Sequence, residues 1–99
     1  MPDAAGALPI PPVAEQDRKA LELARVWAAK GAQHVSLRPD AWPDPGAWGI
    51  LFVDVAKHVA DALREKSGRD PADTLRRIKA GFDAEWNHPT DRPKGGFVG

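Results

Sequence analysis

One stretch constrains the fold more than any other: residues 44–68, DPGAWGILFVDVAKHVADALREKSG. Asp44 is suited to cap a helix and Pro45 to open it, because the N–H that proline lacks has no intrahelical partner in a first turn. Lys66, Ser67 and Gly68 suit its end, with a cation near the negative pole and a glycine free to turn left-handed. In between, Trp48, Leu51, Phe52, Val55, Val59, Ala62 and Leu63 recur at helical spacing. Ile50, Val53, Ala56 and Ala60 widen that stripe until the first half of the segment is apolar nearly all round. Such a helix has to be covered on more than one side. The spacing therefore predicts a central helix over 45–66 on which everything else packs.

A chain of 99 residues that must cover this helix has material for one domain. The reading is an extended proline-rich arm over 1–14, a single α+β domain over 15–91 and a flexible or strand-adding tail over 92–99. The arm is expected to lie on the domain with Leu8, Ile10 or Val13 docked, the alternative being a proline-rich ligand for another protein. Leu21, Ala24, Trp27 and Ala28 predict a first helix over 16–30, with Arg18, Glu22 and Arg25 as an ion-pair ladder on its outer face and Gly31 ending it. Residues 33–38, QHVSLR, alternate in period two and predict a strand with Val35 and Leu37 on one face. Leu75, Ile78, Phe82 and Trp86 predict a third helix over 71–87, opened by Asp70-Pro71 and stopped by Pro89. The expected fold is thus α+β, three helices with a small sheet built around strand 33–38. That strand needs a partner from residues 8–10, from residues 96–98 or from a second molecule.

Composition bears mainly on what the chain does not do. Fourteen Lys and Arg balance fourteen Asp and Glu, so the surplus of positive charge that holds nucleic acid or anionic membrane is missing. With no cysteine, disulfides, thiolate metal sites and cysteine nucleophiles are excluded. No apolar run approaches the roughly 20 residues of a membrane span, and the opening MPDAAGALPIPP has no basic region of the secretory type. A cytoplasmic location is the expectation.

Three groups of residues could carry function. Val35, Leu37 and Trp42 are the candidate interface, since strand pairing between two copies would bury Val35 and Leu37 and remove an open edge from both. His34, Trp42, Asp54 and His58 could line a ligand or metal cleft, with Asp54, His58 and Asp61 on one helix face. No HExxH or other two-histidine spacing supports a metal there, and the solvated face of a helix accounts for the same residues. Arg69, Arg76, Arg77 and Lys79 could form a nucleic-acid patch on the third helix, diluted by Asp70, Asp73, Asp83 and Glu85. The four hydroxyl residues, Ser36, Ser67, Thr74 and Thr90, lie in no nucleophile elbow, and no phosphate-binding glycine pattern occurs. No catalytic residue and no cofactor is called for. Trp27, Trp48 and Trp86 fall on apolar stripes and are expected in the core.

The segments LPIPP, ARVWAAKGAQHVSLRP, DPGAWGILFVDVAKHVA and IKAGFDAEWNHPTD, in that order, resemble a small alphaproteobacterial family catalogued as a domain of unknown function. The resemblance runs over residues 8–91 and implies an α+β fold with no catalytic residue to carry over. The leading expectation is a non-enzymatic interaction or regulatory protein that forms a homodimer. A ligand- or metal-binding protein comes second and weak DNA binding third.

Overall fold

The computed structural model describes residues 5–89, and the expected tail over 92–99 lies outside them. The fold is α+β. Among the described residues the chain forms α1 (Pro12–Gln16), β1 (Ala24–Ala29), β2 (Ala32–Leu37), α2 (Gly46–Ser67) and α3 (Pro71–Asn87). These fall into two compact units, one running up to Arg38 and the other starting at Pro39.

The first unit is a β-hairpin preceded by one short helical turn. Pro12 opens α1 at a position that wastes no donor, but the helix stops after Gln16 because Asp17 turns extended. The Asp17 side chain then accepts from the Lys19 N–H at 2.9 Å, and its carbonyl accepts from Ala20 at 3.1 Å. That local turn competes with helix continuation, as short Asp side chains do. The helix expected over 16–30 is therefore corrected: the chain bends at 17–20 and leaves as β1. Glu22 still pairs with Arg25 at 2.6 Å, across extended backbone rather than down a helix face. Lys30 and Gly31, both at positive φ, close a two-residue hairpin turn whose twist matches that of the flanking strands. Gly31 is thus a turn residue rather than a helix stop.

β1 pairs antiparallel with β2, with Val26 opposite Val35, Trp27 opposite His34 and Ala24 opposite Leu37. The Arg38 N–H extends the ladder to the Leu23 carbonyl at 2.9 Å. Among the described residues the partner of strand 33–38 is therefore β1 rather than the 8–10 segment, and the 96–98 candidate lies outside them. In the arm, Leu8, Ile10 and Val13 are exposed, so the docking expected of them is not seen. Gly6 instead lies on the Trp27 ring, where a Cβ would stand 3.5 Å from a ring carbon.

The second unit is a helical hairpin. Asp44 does accept a capping bond, from the Gly46 N–H at 2.9 Å, and the helix proper begins one residue later than Pro45. Gly68 ends α2 at φ 70°, and its N–H bonds back to the Arg64 carbonyl at 2.8 Å. Asp70 caps α3 through the Ala72 N–H at 3.3 Å, with Pro71 in the first turn. This short link folds α3 back so that it packs on α2.

The packing is sparse. Among the described residues only Ala60 of α2 and Thr74 of α3 are fully buried. Trp27, Trp42 and Trp48 are half-buried. Trp86, expected in the core, is 75% exposed and stacks only on Phe82, with ring centroids 5.6 Å apart. The buried Thr74 hydroxyl has no hydrogen-bond partner. Burying an unpaired hydroxyl costs about 1–3 kcal/mol. Thr74→Val keeps the shape and removes the orphan group, so it should raise stability by roughly 1 kcal/mol in urea unfolding. A loss of similar size would show that the hydroxyl is paired in solution.

Candidate functional site

The strand register sorts the hairpin into two faces, because paired residues of an antiparallel ladder share a side. Ala24, Val26, Ala28, Gln33, Val35 and Leu37 make one face; Arg25, Trp27, Ala29, Ala32, His34 and Ser36 make the other. The first is apolar and poorly covered, with Val26 65% exposed. Val35 and Leu37, two of the three expected interface residues, lie on it and are half-buried. At the open end of the hairpin a shallow hollow of about 200 Å³ is lined by Glu22, Leu23, Ala24, Ser36, Leu37 and Arg38. The Arg38 guanidinium donates to the Glu22 carbonyl at 3.0 Å and holds that end together.

The helical unit carries the larger uncovered surface. α3 meets one side of α2, where Ala60 is buried and Ala56 and Leu63 are half-buried. Phe52, Val55 and Val59 lie on a neighbouring side and stay 52%, 50% and 41% exposed. Trp42, the third expected interface residue, meets Trp48 edge to face at 5.3 Å, and Trp48 in turn meets Phe52 at 6.2 Å. The turn before α2 thereby joins the top of this side through an aromatic contact. On α3 the stripe Leu75, Ile78, Phe82 and Trp86 is half-covered at its start and exposed at its end.

The residues expected around a cleft are placed as follows. His34 is on β2 in the first unit, exposed, with Nε2 3.2 Å from the Ala29 carbonyl. Asp54 and His58 are exposed on α2 in the second unit. Among the described residues no three His, Asp or Glu side chains gather closely enough to hold a metal ion.

The basic residues of α3 are largely matched by carboxylates of the same helix. Asp73 accepts from Arg76 and, at 3.1 Å, from Arg77; Lys79 meets Asp83 at 2.6 Å. Arg69 stands in the link before the helix. Phosphate attraction needs net positive charge, and three of these four cations spend theirs on a neighbour. The hydrogen bond from Arg76 is the largest effect on the Asp73 carboxyl and, with the pair to Arg77, holds it below the usual carboxylate range against an opposing effect of desolvation.

Sequence reasoning anticipated the uncovered apolar side of α2. It missed the exposure of Phe82 and Trp86, whose spacing alone matches that of a buried stripe.

Small α+β protein is the class these elements define, and the chain belongs to the family described as domain of unknown function (DUF5076), whose model matches residues 7–90. It is similar to a solved structure from the photosynthetic bacterium Rhodopseudomonas palustrus CGA009, described there as a "putative pyruvate dehydrogenase". The two share 32% identity and a TM-score of 0.72 over 93% of this chain and 94% of the other. No curated protein sequence matches the chain. Among the described residues, no helix is long and apolar enough to cross a membrane.

The lowered Asp73 value has a consequence for stability. A carboxyl that ionises more readily folded than unfolded stabilises the fold above the ordinary carboxylate range, and that contribution is lost as the pH falls through its folded value. Asp73→Asn should weaken the protein at neutral pH and flatten this part of its acid sensitivity, read as urea midpoints at neutral and acidic pH. Parallel pH curves for the two proteins would contradict the assignment.

Proposed function

We propose that the chain is a small, cytoplasmic, non-enzymatic interaction protein whose working form is a homodimer. What supports this reading is uncovered apolar surface. Among the described residues Val26 of the hairpin and Ile50, Phe52, Val53, Val55, Val59, Phe82 and Trp86 of the helical unit are 41–75% exposed. Large apolar side chains exposed together on one face mark an interaction site, whereas single scattered ones do not.

Strand pairing, with β1 already in place, no longer requires a second molecule; the case for association rests on the apolar faces. Formal neutrality supports it further, since two copies approach without net repulsion. The dehydrogenase description belongs to the Rhodopseudomonas protein and points to no residue of this chain.

Light scattering on a sizing column over a concentration series should give twice 10.7 kDa, unchanged on dilution through the low micromolar range. A mass of one chain at every concentration would overturn the proposal.

A further inference from the structure

We infer that the seam of the homodimer is α2 itself, packed antiparallel against α2 of a second copy. The inference rests on the homodimer reading and adds the surface and the orientation. Phe52, Val55, Val59 and Ala62 follow one another at intervals of three, four and three residues, with Trp48 four before the first. That alternation keeps side chains on one line along a helix and is the pattern by which two helices interlock. All but Trp48 are exposed, and Trp48 is half-buried. α3 occupies a different side of the helix, so the line is open.

What selects a second copy as the occupant is the pattern's symmetry. Reversed about position 57, the line reproduces itself: Val55 falls opposite Val59, Phe52 opposite Ala62 and Trp48 opposite Lys66. The largest side chain of the inner four meets the smallest, which is how facing layers fill space without voids. Trp48 meets a cation it can hold against its ring face. No two like charges meet along the seam: Asp54 falls opposite Ala60, Asp61 opposite Val53 and Glu65 opposite Gly49. Lys57, the residue at the centre of symmetry, sits on the far side of the helix and does not meet its copy. A parallel arrangement would set Phe52 on Phe52 and Ala62 on Ala62, too wide at one layer and too narrow at the other.

The native chain has no cysteine, so single cysteines report the seam directly. Val55→Cys, Val59→Cys and Lys57→Cys would be made separately, with circular dichroism confirming that each keeps its helices and light scattering giving its mass. Oxidised together, Val55→Cys and Val59→Cys should link into a disulfide dimer at least about 10-fold faster than Lys57→Cys links to itself, because only the first pair brings Cβ atoms within bonding reach. A dimeric mass with no such preference would overturn the seam and leave the homodimer standing. Faster linking of Val55→Cys to itself than to Val59→Cys would overturn the antiparallel orientation. A monomeric mass would overturn both the seam and the homodimer.

Discussion

Everything in this chain follows from a helix that is apolar on more sides than its own partner covers. α2 presents one side to α3, and the burial of Ala60 and Thr74 comes from that contact. The side carrying Phe52, Val55 and Val59 gains nothing from it. Hydrophobic burial contributes about 25 cal/mol per Å², and folding must offset a conformational entropy of similar total size. A chain that leaves this much apolar surface in water forgoes much of the term that ordinarily tips the balance. In the proposed homodimer it is a second copy of the chain that closes this gap.

Local chemistry compensates for thin packing at the element ends. Asp44, Gly68 and Asp70 satisfy helix termini that would otherwise leave backbone groups unpaired. Lys30 and Gly31 take the positive φ that a tight hairpin needs, and Glu22 ties down Arg25 and Arg38 at its open end. The ion pairs of α3 are exposed and contribute little each, but they neutralise a basic stretch. Secondary structure is thus well specified even where tertiary cover is not.

This division explains what was legible in the sequence. Capped, periodic helices announce themselves, and α2 and α3 lie within a residue or so of their expected bounds. Strand 33–38 was equally clear from the alternation of Val35 and Leu37. The misreading fell on residues 16–30, where Leu21, Ala24, Trp27 and Ala28 satisfy helical spacing and alanine favours a helix. Two features outweighed that propensity: the Asp17 turn, and the need of β2 for a ladder partner. Lys30-Gly31 between two six-residue runs was the available signal, since a glycine after an extended segment serves a hairpin as well as it ends a helix. The candidate surface was half legible: excess apolar residues on α2 were plain, but which of them α3 would leave open depends on packing that spacing does not encode.

The central claim is that folding is completed by association, and the concentration dependence of unfolding tests it most directly. Urea titrations would be followed by circular dichroism over a hundredfold range of protein concentration. For a dimer that dissociates as it unfolds, the midpoint should rise steadily with concentration, by mass action. A midpoint that stays fixed over that range would mean that one chain is stable alone, and would contradict the account.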